Sequence, residues 1–177
     1  MNSRCACCAI RSGVAATLLL ASLPALTQGL PNNQFDAVLP ENIHWQAFSA
    51  FPEGVQLAIV VGTPSKPGPY VVRVKVPADA RLAPHRHPED RIYTVISGIF
   101  YIGLGETFDE SKLKPYPPGS VVVLPGGTAH FHWAKSGEYV TQVTANGPLG
   151  LDYVDRADDP RLKKHGHAAS GAPAPAN

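Results

Sequence analysis

The chain has 177 residues, enough for one domain with a sizeable core. Fifteen Lys and Arg stand against fourteen Asp and Glu, and no block of basic residues interrupts the chain. Nucleic acid and anionic membrane surfaces are poor main partners for such a chain, because both select clustered positive charge.

The N-terminus reads as a targeting segment rather than as fold. Arg4 and Arg11 flank a polar start, Gly13 to Leu23 is a short apolar run, and Pro24, Ala25, Thr27 and Gly29 give a small-residue stretch. That order predicts a secretory signal peptide over about residues 1–28, too short to span a bilayer and followed by a periplasmic or secreted mature protein. A buried N-terminal helix is the weaker reading, since the run has no amphipathic period. Cleavage would remove Arg4 and Arg11, taking the formal charge from +1 to −1. It would also remove Cys5, Cys7 and Cys8, leaving no disulfide in a compartment that permits one. These cysteines precede the apolar run, unlike a lipid-attachment site.

Residues 29–42 form a Pro/Asn-containing lead-in arm, and the domain proper is expected over 43–155. Strands are predicted at Gln56–Val61, Tyr70–Val76, Arg91–Ser97, Ile99–Leu104, Ser120–Leu124, Ala129–Trp133, Tyr139–Ala145 and Leu149–Val154. All are rich in Val, Ile and aromatics and are separated by Gly and Pro. In Tyr70–Val76 the alternation puts Val72, Val74 and Val76 on one face and Arg73 and Lys75 on the other. Only Phe108–Leu113 reads as helical, for one or two turns with Asp109 as N-cap. Residues 162–177, with Lys163, Lys164, His165 and His167 before an Ala/Pro/Gly/Ser end, read as a disordered tail. Many short strands and hardly any helix predict an all-β sandwich or barrel that encloses a small ligand or metal near one mouth.

Two segments carry chemistry. In His85-Arg86-His87-Pro88-Glu89-Asp90-Arg91 the histidines are two apart, so an extended chain projects both from one face toward one ion. The second runs from Gly119 through Pro125-Gly126-Gly127 to His130, a strand, a tight turn and a returning strand. His132 shares the inward parity of His130, as Tyr93 shares that of Arg91. His132 reads as a fourth ligand, a core histidine or, preferred here, a neighbour of the centre able to move protons, and Tyr93 as a pocket wall or core aromatic. His165 and His167 repeat the two-residue spacing without a strand or a second segment, and read as solvent-exposed.

These two segments resemble the paired motifs of the cupin superfamily, a jelly-roll β-barrel. His85, His87 and Gly98 fit the first motif, and Gly119, Pro125, Gly127 and His130 fit the second at every spacing, over a span of roughly 43–154. The resemblance implies a single cupin-type barrel in which His85, His87 and His130 hold one divalent metal, usually with a glutamate as fourth ligand. It also implies frequent homodimers. Imidazole donors leave Fe, Zn, Mn, Ni and Cu open as the metal.

The sequence departs from the family at the glutamate, where Arg91 stands. Glu89 has the right parity but lies early, and Asp90 faces the other way. A guanidinium about 6 Å from a divalent ion, at an effective dielectric of about 20, is repelled by roughly 5 kcal/mol. Arg91 must therefore turn away, pair with Glu89, Asp90 or another acid, or face an anion on the metal. Three protein ligands leave a position for water or substrate, the arrangement of a reactive site. One expectation is thus a metal-dependent enzyme, dioxygenase-like or an isomerase, acting on a small anionic substrate with Arg91, His132 and Tyr93 as catalytic candidates. The other is a non-catalytic periplasmic barrel that binds or senses a metal or small anion.

Overall fold

The structure, a computed structural model, describes residues 37–162. The expected signal peptide, most of the arm and the tail with His165 and His167 lie outside the described residues. Eleven strands form two antiparallel sheets. The strands are β1 (Gln46–Ala47), β2 (Gln56–Val61), β3 (Gly68–Val76), β4 (Arg81–Arg86), β5 (Arg91–Ser97), β6 (Phe100–Leu104), β7 (Lys114–Tyr116), β8 (Val121–Leu124), β9 (His130–Trp133), β10 (Tyr139–Gly147) and β11 (Asp152–Tyr153). One sheet runs β1-β2-β3-β10-β5-β8 and the other β11-β4-β9-β6-β7. The inner faces pack on each other as a jelly-roll barrel. Among the described residues no helix is long and apolar enough to cross a membrane.

The alternation predicted for β3 holds. Val72, Val74 and Val76 are buried, while Arg73 reaches its cross-strand partner Gln142 on the outer face, Nε donating to Oε1 at 3.2 Å. Tyr70, Val72, Val76, Val95, Phe100, Tyr139 and Val143 form the centre of the core. Each such side chain contributes ~1.5–3 kcal/mol by leaving water. Chain reversal between the sheets requires Gly98. Its φ of +68° is unfavourable for other residues, and a Cβ there would lie 2.2 Å from the Glu138 carbonyl oxygen.

Several expectations are corrected in detail. The strand expected from Ile99 begins at Phe100, because Gly98 and Ile99 form the corner between sheets. The helix expected over Phe108–Leu113 is a single 3-10 turn, Glu110–Lys112, with Asp109 capping it by accepting from the Ser111 amide at 3.0 Å. Leu149–Val154 pairs only over Asp152–Tyr153. Three strands lie outside the expected segments: β1, only two residues long, and β4 and β7, each of which contains a proline. Pro84 lies where the β4 to β9 register shifts between Leu82 and His85, and Pro115 lies on β7 at the edge of its sheet.

Candidate metal centre

The five-stranded sheet supplies the three histidines. β4 and β9 are neighbours, and their register sets His85 directly opposite His130. His87 follows just past the end of β4. The ring centroids are 4.3 Å apart for His85 and His130, 5.0 Å for His85 and His87, and 5.2 Å for His87 and His130. One nitrogen from each ring lies within 4.8 Å of the others, a grouping able to hold a metal ion. All three side chains are buried.

The other nitrogen of each ring is already committed. Nδ1 of His85 donates to the Ala83 carbonyl at 2.8 Å, that of His130 to the Thr128 carbonyl at 2.9 Å, and that of His87 to the Gly150 carbonyl at 2.6 Å. A carbonyl only accepts, so each Nδ1 carries the proton and each Nε2 presents a lone pair. Burial, with the neighbouring His130, lowers the His85 pKa to about 3. Burial, with Arg91 adding to it, lowers that of His130 to about 4 and that of His87 further still. The rings are therefore neutral at pH 7. His130 Nε2 is buried without a hydrogen-bond partner. Lone pairs turned toward one another leave nothing among these groups to donate, and a cation satisfies all of them.

His132, the next inward residue of β9, sits 5.0 Å from His130 and 5.4 Å from His85 between centroids. It stands outside the three-nitrogen group. Tyr139 Oη lies 3.4 Å from its Nδ1, its Nε2 has no partner, and burial holds its pKa well below the usual value. Tyr93 points inward from β5, stacked on Phe100 at 5.4 Å, with an unpartnered hydroxyl whose pKa burial raises. The three metal-ligand candidates thus come together, with Tyr93, His132 and Arg91 lining the same interior space.

Arg91 adopts one of the arrangements open to it, the pairing with Glu89. Its Nη2 and Nε donate to Glu89 Oε1 at 2.5 and 3.0 Å, and the two side chains are 4 % and 8 % exposed. The same carboxylate accepts from Tyr70 Oη at 2.8 Å and, through Oε2, from the Gly150 amide at 3.2 Å. Asp90 turns outward and accepts from the Gly126 amide at 2.7 Å. Glu89 therefore stands beside the centre as the counterion of Arg91. Glu89 offsets part of the guanidinium charge, but the three histidines still feel Arg91, which adds to burial in lowering their pKa values. Nη2 and Nε are engaged by Glu89, while Arg91 also lines the interior space.

The sequence reading missed Tyr70 and Gly150. The inward parity of Tyr70 with Val72 is legible, but the partner of its hydroxyl is not. Gly150 contributes only backbone, which leaves no signal in residue type.

No family model matches the chain, and no curated protein sequence matches it. Solved structures do. KdgF from Halomonas sp. is 25% identical, over 64% of this chain and 94% of that one, with a TM-score of 0.51. The polyketide cyclase RemF from Streptomyces resistomycificus is 15% identical over 75% and 94%, with a TM-score of 0.61. The DMSP lyase DddQ from Ruegeria pomeroyi is 17% identical over 63% and 61%, with a TM-score of 0.51. The barrel and these neighbours give the chain a cupin-type jelly-roll fold, and its ordered motif pair resembles that of the cupin superfamily. The segment that resembles the superfamily's first motif carries Arg91 where that pattern has glutamate.

Proposed function

We propose that this protein is an exported cupin that binds one divalent metal through His85, His87 and His130 and uses it on a small-molecule substrate. The observation that carries the reading is the set of three inward Nε2 lone pairs, each fixed by an Nδ1–H donated to a backbone carbonyl. A bound ion would supply a Lewis acid, and with iron, copper or manganese also a redox centre. His132 is placed to hold or pass a proton beside it, Tyr93 offers a hydroxyl to the same space, and the Arg91–Glu89 pair sets the local charge. An oxidoreductase of dioxygenase type is the enzyme class we favour. Support for enzymatic use comes from relatives of this fold named as a cyclase and a lyase, and from a metal set that three protein ligands leave open.

The decisive measurement is elemental analysis of protein taken from its own compartment, followed by titration of metal-free protein. One equivalent of metal is expected, and His85→Ala or His130→Ala should abolish it; unchanged metal content in both variants would refute the site. N-terminal sequencing of the exported form should begin after residue 25 and before residue 31. A non-catalytic metal- or ligand-binding barrel is the second reading, favoured by the full burial of the histidines. Metal-loaded protein that binds ligands yet turns over none across a panel of small acids, phenols and enols would select it.

A further inference from the structure

The centre has almost no room around it. The interior cavity bounded by His85, His87, Arg91, Tyr93 and His132 measures about 10 Å³, space for one water or ion. The loops beside His87 are packed tightly. A Cβ at Gly126 would lie 2.4 Å from the Pro88 carbonyl oxygen, and one at Gly150 would lie 2.6 Å from the Pro88 ring.

The packing is looser where the β1 edge of one sheet meets the β11 edge of the other. The loop between β1 and β2 crosses this seam in two turns, with Phe51 N donating to Phe48 O and Val55 N to Pro52 O. A cavity of about 690 Å³ lies between this loop, Arg81 and Ala83 of β4, Tyr153 of β11, and Pro160. Phe51 alone among the described residues lines both this outer cavity and the interior one. The outer cavity also touches the centre's supports. Ala83 is the residue whose carbonyl orients His85, and the Tyr153 ring lies 5.9 Å from the His85 ring. Tyr153 Oη holds the loop by donating to the Ala50 carbonyl at 2.8 Å.

We propose that this outer cavity binds a small, uncharged, largely aromatic molecule, and that Phe51 is the wall such a molecule displaces to reach the centre. The volume is that of a small-molecule site, and the walls are mostly apolar, with Phe48 and Phe51 packed edge to face at 5.1 Å. Two carboxylates, Glu53 and Asp158, line it against one cation, Arg81, which is stacked 4.1 Å from the Trp133 ring centroid. That balance disfavours an anion. The cavity stands on its own geometry; the role of Phe51 rests on the proposed metal site.

The test uses 2-naphthol and 2-naphthoate, fluorescent probes that share a ring system and differ in charge at pH 7. Metal-free protein should bind one equivalent of naphthol, and naphthoate about tenfold or more weakly, because its carboxylate loses water and meets Glu53 and Asp158 as well as Arg81. Ala47→Trp, which fills the cavity from an exposed position, should remove naphthol binding while leaving metal content unchanged. Equal naphthol binding in Ala47→Trp, or a preference for naphthoate, would overturn the assignment. For Phe51, the readout is the rate at which loaded zinc is lost to excess EDTA. Phe51→Leu should speed it, and so should Tyr153→Phe, which frees the loop without removing a core ring, by about fivefold for one lost hydrogen bond. Unchanged rates in a folded Tyr153→Phe protein would show that Phe51 is not the wall that opens. A protein that takes up neither zinc nor iron, manganese, nickel or copper would sink the metal reading and the role given to Phe51, while naphthol binding would still decide the cavity.

Discussion

His85 and His130 are oriented by their own strands, each ring donating to the carbonyl two residues before it. His87 is oriented from a distance, by a carbonyl 63 residues further along the chain. The first two rings are fixed as soon as β4 and β9 pair. The third is fixed only when the 149–151 segment docks, and Glu89 secures that docking by accepting the Gly150 amide. The candidate centre thus has two locally held imidazoles and one that depends on long-range packing. The Arg91–Glu89 pair, which replaces the family's glutamate ligand, supports the dependent one.

The largest expected effect of this arrangement is acid lability of the metal-free protein. The folded-state pKa values of His85 and His130 are depressed to about 3 and about 4, and that of His87 lies lower still. Unfolded histidines titrate near 6.5. The unfolded chain therefore takes up protons first as pH falls. Stability from the neutral rings is fully present above about pH 6.5 and declines toward the folded values, at about 1.4 kcal/mol per pH unit for each histidine. Urea unfolding between pH 7.5 and 4.5 should show a loss of several kcal/mol. Single His85→Gln, His87→Gln and His130→Gln variants should each flatten the fall, because each removes one ring that burial keeps neutral in the folded state. A stability curve flat to pH 4.5 would show that the three rings are not buried neutral.

Next in size is the effect of removing the support of His87. Glu89→Gln leaves the Arg91 guanidinium buried without a counterion, which costs about 3–5 kcal/mol. The double variant Glu89→Leu with Arg91→Leu should recover most of that stability, since paired charges can be exchanged for apolar groups at little net cost. It should not recover metal affinity, because the Gly150 amide then loses its Glu89 acceptor and the carbonyl that orients His87 is less firmly held. Chemical denaturation and metal titration of the same samples separate the two outcomes. Full metal affinity in the stable double variant would mean that the carbonyl of Gly150 needs no help from Glu89.

The sequence legibility follows the same division between local and distant interactions. Strand positions of period two, the His85 and His87 spacing and the Pro-Gly-Gly turn before His130 are local patterns, and β2 and β5 fall where the alternation puts them. The meeting of the three histidines was legible through the resemblance of two ordered motifs. The partner of Arg91 was not: Glu89, Asp90 and an unspecified acid were all compatible with the residues, and only the docking of Gly150 beside Glu89 decides among them. Asp90 was removed from the competition by the Gly126 amide, thirty-six residues away. Phe51 and Tyr153, which separate the centre from the outer cavity, carry no motif because their roles arise where two sheet edges meet.

Tyr70→Phe is the gentlest test of the long-range support. It deletes the hydroxyl that donates to Glu89 Oε1 at 2.8 Å and leaves the Arg91 pair and the Gly150 amide in place. The ring remains in the core, so no cavity forms. The expected cost in stability is about 1.5–3 kcal/mol, that of a hydrogen bond to a charged acceptor. Burial, together with the Glu89 bond, already holds this hydroxyl protonated far above neutral pH, so no titration confuses the comparison. If the carboxylate positions Gly150 through charge and its two remaining partners, metal affinity should stay within about threefold of the parent, the equivalent of ~0.6 kcal/mol. A larger fall in affinity than in stability would instead place Tyr70 in the chain of contacts that orients His87, making the dependent ligand reliant on β3 as well.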